Sequence, residues 1–255
     1  MFFNVEITIF ILLAIFVALL FIVCGKKGFR SLLAMITTII LLITVVIPLI
    51  IQKYDPVMVT FIASIPITLL IIYLTEGFSV LSHLSAILTI LNFSVISLLI
   101  DFSVSFSKFS GIVSDISATV GGQLGINLPK LLIAAIMLGT LGALIEMVVT
   151  QVGTVIEFTK ASPEANKQEI YKQSYSVGII HLGSITNTLF LIYAGVLLPT
   201  LILFSGSQNY LYEVLNYEPI SSEVVRIIIG TIGLIISMPT STFLAVQWLK
   251  KEPKL

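Results

Sequence analysis

Long apolar stretches, separated by short polar segments, divide the chain into seven parts. They lie near residues 5–23, 31–51, 57–74, 83–100, 131–158, 175–204 and 222–247. A helix needs about 20 predominantly apolar residues to cross about 30 Å of hydrocarbon. The pattern therefore predicts an all-α transmembrane bundle of about seven spans, with residues 1–255 forming a single membrane domain.

The interval between the fourth and fifth stretches carries a different pattern. Between residues 101 and 120, aromatic and aliphatic residues recur at steps of four and three, while serines fill the opposite face. This spacing predicts an amphipathic helix near 101–120 that lies in the outer interface. A re-entrant plug over a pore is the alternative. We expect Gly121, Gly122 and Gly125 to end the helix before Pro129 opens the next span.

Composition agrees with a membrane protein. Hydrophobic residues make up 57% of the chain and charged residues 10%, against about 45–50% and about 25% in soluble domains, and the mean hydropathy is +1.12. The residues before the first stretch, MFFNVE, contain no Lys or Arg, so we expect a retained helix and not a signal peptide. Cys24 is the only cysteine, which excludes a disulfide within the chain.

The distribution of basic residues predicts an orientation, because short cytoplasmic loops collect Lys and Arg. With the N-terminus outside, nine of the thirteen lie inside: Lys26, Lys27, Arg30, Lys160, Lys167, Lys172, Lys250, Lys251 and Lys254. Four lie outside: Lys53, Lys108, Lys130 and Arg226. We therefore expect a cytoplasmic (inner) membrane protein with its N-terminus outside and its C-terminus inside. These residues suit lipid headgroups, and nothing indicates nucleic-acid binding.

Polar residues concentrate in the last three stretches. In the fifth, small and polar residues follow four-three spacing and share one helix face: Gly139, Ala143, Glu146, Thr150, Gly153 and Glu157. Glu146 lies about midway between Lys130 and Lys160, and Asn187 falls at a similar depth. An ionised carboxylate there would cost several kcal/mol. Glu146 must therefore be protonated, paired or next to water. It lies either on an ion path or in a structural hydrogen bond to Asn187, Thr188 or a backbone carbonyl of the sixth stretch.

The residues that could line such a polar path are Glu146, Thr150, Gln151, Glu157, His181, Ser184, Asn187 and Thr188. Glu157 can instead reach the headgroups near Lys160, and His181 can relay a proton or share one hydrogen bond as a neutral imidazole. Arg226 can pair with Glu223 or extend to the outer headgroups.

Other chemistry lacks support in the sequence. No cluster of residues has metal-ligand spacing, no cofactor motif is present, and neither GxSxG nor HExxH occurs. We therefore expect that the chain binds neither a metal nor a cofactor and is not an enzyme. The segment MPTST at 238–242 can break its helix or only kink it.

Three segments resemble the YibE/F family of bacterial multi-pass membrane proteins: GTLGALIEMVVTQVGTVIEF (139–158), HLGSITNTLFLIYAGVLLP (181–199) and EVVRIIIGTIGLIISMPTST (223–242). The resemblance covers residues 75–247. It places the family's acid, Thr-Gln pair and later glutamate on Glu146, Thr150, Gln151 and Glu157. The His, Asn-Thr and Tyr-x-Gly positions fall on His181, Asn187, Thr188, Tyr193 and Gly195, and the Glu and Arg before the last helix on Glu223 and Arg226.

The chain departs from this family at two places. Many members carry Gly-Arg-Asp where this chain has Gly178, Ile179 and Ile180, and paired acids where it has Ile145 and Glu146. The resemblance to short members implies a YibF-like chain with a YibE-like membrane partner subunit, which would complete any charge relay that is missing here.

Two functions remain open. The leading hypothesis is a transport or permease component in which the fifth to seventh helices enclose a polar path through Glu146, Asn187 and Thr188. The alternative is a non-catalytic scaffold or partner-binding subunit of a membrane complex.

Overall fold

The computed structural model describes residues 2–206 and 210–249, and every regular element in them is helical. The elements are α1 Phe2–Leu41, a π-helical turn Leu42–Val46, α2 Ile47–Ile51, α3 Pro56–Glu76, α4 Val80–Ser107, α5 Asp115–Leu124, α6 Leu128–Ala161, α7 Lys167–Phe204, α8 Tyr210–Asn216 and α9 Glu218–Leu249. Six helical runs among the described residues are long and apolar enough to cross a membrane. The predicted all-α membrane bundle is confirmed. The basic residues Lys250, Lys251 and Lys254 lie outside the described residues.

The first two predicted spans form one helical run, Val5–Ile51, of 47 residues. A straight helix of that length would measure about 70 Å, more than twice the hydrocarbon thickness of about 30 Å. The run is broken at Gly25, which has φ 54° and ψ −129°. Leu20 and Gly28 would lie about 12 Å apart along a straight helix, yet a Cβ added to Gly28 would lie 2.3 Å from the Leu20 carbonyl oxygen. The run therefore folds back at Gly25 into two arms.

Capping side chains fix where the core helices begin. Asp55, Ser79, Asn127 and Asn166 each accept hydrogen bonds from backbone N–H groups in the first turn of α3, α4, α6 and α7. These are the residue types that satisfy the free N–H groups of a helix start. The short loops between the predicted spans thus determine the helix boundaries.

Helix α6 is the centre of the bundle. It packs against α3, α4, α9 and α7, and its side chains fill the largest hydrophobic cluster together with those of α3 and α4. Of these neighbours, α3 contacts α4, α4 contacts α9 and α9 contacts α7, whereas α7 and α3 share no extended contact within the described residues. One side of α6 is therefore open, between α7 and α3.

The prediction of a single amphipathic helix near 101–120 is wrong. Helix α4 continues to Ser107 and ends at Lys108, which has φ 54°, and a separate helix, α5, begins after Ser114. Ser114 and Ser117 form a reciprocal capping box, so the serines interpreted as one polar face instead start a new helix. Gly121 and Gly122 lie inside α5, and only Gly125, at φ 61°, ends it.

The segment MPTST does not break its helix. Helix α9 runs from Glu218 to Leu249 with Pro239 inside it. The hydroxyl groups of Thr240 and Thr242 donate to the carbonyl oxygens of Ile236 and Met238. A proline inside a transmembrane helix is tolerated where neighbouring groups satisfy the freed backbone.

Candidate functional site

The open side of α6 forms a groove between α3 and α7, which we call the α6 groove. Its floor consists of residues spaced at three or four positions along α6, all exposed: Gly139, Gly142, Glu146 and Thr150. The other faces of α6 are buried in the bundle. The small residues leave the groove open, and Glu146 is its only acidic floor residue.

The contacts between α6 and α7 show which part of α7 lies level with Glu146. The hydroxyl group of Tyr193 reaches α6 seven residues before Glu146, and Gly178 packs on Gln151, five residues after Glu146. Because the two helices run antiparallel, Glu146 lies level with residues 183–186 of α7. Asn187 is one to four residues away from that level, which corresponds to between about 1.5 and 6 Å along the axis.

The polar residues near the middle of α7 face outwards. Ser184, Asn187 and Thr188 are exposed. The Ser184 hydroxyl group lies 3.4 Å from the Ile180 carbonyl oxygen, and the Thr188 hydroxyl group donates to the Ser184 carbonyl oxygen at 3.0 Å. The Asn187 amide hydrogen-bonds to none of the residues that the structure describes. An unpaired amide on the outer surface of a transmembrane helix is unfavourable in lipid.

Gln151 is separated from the α6 groove. Its side chain is 1% exposed, and its amide nitrogen donates to the Ser174 carbonyl oxygen at 2.9 Å. The same side chain lies against Gly178, where an added Cβ would be 2.6 Å from Gln151 Oε1. Gln151 therefore joins α6 to α7 instead of lining the groove.

Two other predicted residues, His181 and Glu157, differ in their surroundings. His181 is half-buried, and its Nε2 has no hydrogen-bond partner among the described residues. Glu157 is exposed three turns beyond Glu146 on α6, near the end of the helix. Among the described residues, no hydrogen bond or ion pair joins either of them to Glu146.

Glu223 and Arg226 form an ion pair at the start of α9. The Arg226 Nη1 and Glu223 Oε2 atoms are 3.4 Å apart, and both side chains are less than one fifth exposed. The guanidinium also lies over the Tyr193 ring, 5.5 Å from its centroid. The pair and the ring thus connect α9 to α7, and in this arrangement Arg226 pairs with Glu223 instead of extending away from the bundle.

The prediction of an enclosed path is not met within one chain. Glu146 and Thr150 lie in an open groove, while Asn187 and Thr188 are exposed on α7. Helices α6, α7 and α9 pack on one another, but the interface between them holds Gln151, small hydroxyl side chains such as Thr140, and apolar side chains. A path through Glu146 therefore needs a further chain, lipid or water to complete it.

A polar contact between α4 and α9 was not predicted from the sequence. The Asn92 amide nitrogen donates to Ser241 Oγ at 3.3 Å and to the Leu88 carbonyl oxygen at 2.9 Å. The Thr240 hydroxyl group donates to Asn92 Oδ1 at 2.8 Å. The signal was present, because Ser85, Thr89 and Asn92 follow the same four-three spacing as the polar face of α6.

An ion pair joins the N-terminal ends of α3 and α6 near the predicted outer surface. Lys130 donates to the Asp55 carboxylate, beside an open pocket lined by Lys53, Tyr54 and Asn127. Burial raises the pKa of the Asp55 carboxyl, but the hydrogen bonds from Lys130 and two backbone N–H groups outweigh it. The pKa of Asp55 therefore lies below its ordinary value of 3.8.

These helices and the α6 groove define a multi-spanning membrane protein of the all-α class, with an acidic side chain open to its surroundings in the middle of a span. Residues 12–251 match the family YibE/F-like protein, and the chain belongs to this family. The match extends well beyond the 75–247 region on which the resemblance rested. No curated protein and no solved structure matches the chain. Within the described residues, no group of three or more His, Cys, Asp or Glu could hold a metal ion.

Proposed function

We propose that the chain is the membrane component of a transport system, and that a polar path runs along the α6 groove with Glu146 as its ionisable group. The observation that carries the proposal is the exposure of Glu146 near the middle of a transmembrane helix. A charged side chain at the centre of a span costs about 2.5–3.5 kcal/mol on insertion scales. Because of this cost, acidic residues inside a membrane often mark proton or ion paths.

The exposed polar residues of α6 give the path a direction. Thr150 follows Glu146 by one turn, and Glu157 is exposed 11 residues after Glu146, about 16 Å along the axis. In the predicted orientation this row leads from the middle of the membrane to the inner surface. The opposite half of the floor, towards Gly139, is small and apolar, so the polar path is open at its inner end.

Accessibility to water tests this proposal. Cys24 is exposed and is the only cysteine, so Cys24→Ser provides a cysteine-free background. Glu146→Cys and Thr150→Cys would each be treated, in inside-out membrane vesicles that expose the predicted inner surface, with a maleimide that cannot cross the bilayer. A matched control is Leu91→Cys, at an exposed position near the middle of α4.

We expect the two groove positions to be labelled and the Leu91→Cys control to remain unlabelled. Equal absence of label at all three positions would contradict a hydrated path. In the same system, Glu146→Gln should abolish transport while leaving membrane insertion intact, because the amide keeps the shape but not the ionisable group.

A second candidate function is a scaffold that binds a partner subunit within the membrane. The unpaired Asn187 amide favours it, because a partner helix would provide the missing hydrogen bond. This candidate includes a YibE-like membrane partner. It predicts that the two chains co-purify and that Glu146→Cys is not labelled by water-borne reagents.

A further inference from the structure

We infer that the α6 groove is covered by α7 of a second copy of this chain, in a symmetric dimer in which Glu146 of each copy accepts a hydrogen bond from Asn187 of the other. This dimer does not depend on the proposed transport path, because it holds whether or not water also enters the groove. Three observations carry it: depth, side-chain size along the two exposed faces, and hydrogen-bond chemistry.

Depth is the first condition. A two-fold axis that relates two membrane proteins of the same orientation must run perpendicular to the membrane, so every residue keeps its depth. Only groups at the same depth can then meet across the interface. The contacts of Tyr193 and Gly178 with α6 place Asn187 within about one turn of Glu146. The pair therefore satisfies the condition that a self-complementary interface imposes.

Side-chain size along the two helices also matches. With α7 antiparallel to α6 and Asn187 opposite Glu146, four residues in one direction bring Leu191 opposite Gly142. Four residues in the other direction bring Gly183 opposite Thr150. All six positions are exposed within one chain, and a Cβ added to Gly142 or Gly183 would touch nothing within 4 Å. The large Leu191 side chain thus packs on the open Gly142, and Gly183 packs against Thr150.

Hydrogen-bond chemistry gives the third condition. Glu146 provides carboxyl oxygens, and the Asn187 amide provides N–H groups that bind none of the residues the structure describes. Small residues let transmembrane backbones approach closely, and polar side chains then bond between helices. The dimer would contain two such hydrogen bonds, one at each symmetric contact. Both side chains of each copy would then be removed from lipid.

Crosslinking tests the register while leaving Glu146 and Asn187 intact. Two differently tagged copies, both carrying Cys24→Ser, would be co-expressed and oxidised in native membranes. One pair combines Gly142→Cys with Leu191→Cys, and the other combines Thr150→Cys with Gly183→Cys. The matched control combines Gly142→Cys with Gly183→Cys, positions that the register separates by eight residues, or about 12 Å.

We expect both matched pairs to give a disulfide-linked species that carries both tags, at a yield at least several-fold above the control. Equal yields from matched and control pairs would overturn the inference. A crosslink only to a different membrane protein would also overturn it, and would support the partner-subunit alternative instead.

A second measurement separates the dimer from the transport path. Asn187→Leu removes both interhelical hydrogen bonds, so the dissociation constant in nanodiscs, followed by energy transfer between labelled copies, should rise about tenfold. Glu146→Gln should leave it nearly unchanged, because the amide oxygen still accepts a hydrogen bond. Unchanged dimerisation of Asn187→Leu would contradict the assigned contact, even if Glu146→Cys is labelled by water-borne maleimide.

Discussion

Gly178 is the position at which a single methyl group should disturb the bundle most specifically. It lies where α7 meets both α6 and α9, and a Cβ added there would be 2.6 Å from Gln151 Oε1 and 2.9 Å from Met238 Sδ. Both neighbours are the ends of long side chains, so they can move, but Gln151 would then lose its hydrogen bond to the Ser174 carbonyl oxygen. We predict that Gly178→Ala destabilises the protein.

The size of the effect follows from three contributions. Overpacking in a close-packed interior costs about 1–3 kcal/mol, and the interhelical hydrogen bond contributes about 0.6–1.7 kcal/mol. The higher helix propensity of Ala offsets about 1 kcal/mol. The free energy of unfolding should therefore fall by about 1–4 kcal/mol.

Gly153→Ala is the matched control. Gly153 lies on α6, and its nearest neighbour would be Leu81 Cδ1 at 3.8 Å from an added Cβ, an ordinary contact. This substitution should be neutral or should stabilise the protein by up to about 1 kcal/mol. Trp248 is the only tryptophan, so its fluorescence can follow unfolding in mixed micelles as the fraction of SDS increases. Equal unfolding midpoints of Gly178→Ala and Gly153→Ala would refute the close contact between Gly178 and Gln151.

Three further substitutions test other contacts by the same unfolding measurement. Asp55→Asn keeps the helix cap but loses the ion pair with Lys130. Because the folded pKa of Asp55 is lowered, its stabilising contribution is present above pH 3.8 and is lost as the pH falls below it. The difference in unfolding free energy from the unsubstituted protein should thus be constant near neutral pH and should shrink below about pH 3.8; a constant difference at all pH values would refute this. Asn92→Leu removes the bonds that join α4 to α9 and should cost about 1–3 kcal/mol, whereas no change would show that the contact is dispensable. Gly25→Ala places a Cβ at φ 54° and should cost about 1–2 kcal/mol, a prediction that an unchanged midpoint would contradict.

The location of the helices was predictable because hydrophobic length is a property of the sequence alone. The apolar stretches near 57–74, 83–100, 131–158 and 222–247 all lie within α3, α4, α6 and α9, since lipid requires about 20 apolar residues for each crossing. Where the prediction failed, near 101–120, local hydrogen bonds decided the structure. The Ser114 and Ser117 side chains bond the backbone in a capping box, which the four-three spacing of the phenylalanines does not reveal.

The sequence by itself determined that this is an all-α membrane protein of the YibE/F-like family, and that an acid and an amide lie at similar depth in two of its helices. Periodicity places residues on a face but does not say what that face contacts. Only the tertiary structure decided that Gln151 is buried between α6 and α7, and that Glu146 opens into a groove. The physical reason is that burial in lipid depends on which neighbours surround each helix, and the order of helices around α6 is set by packing across the whole bundle.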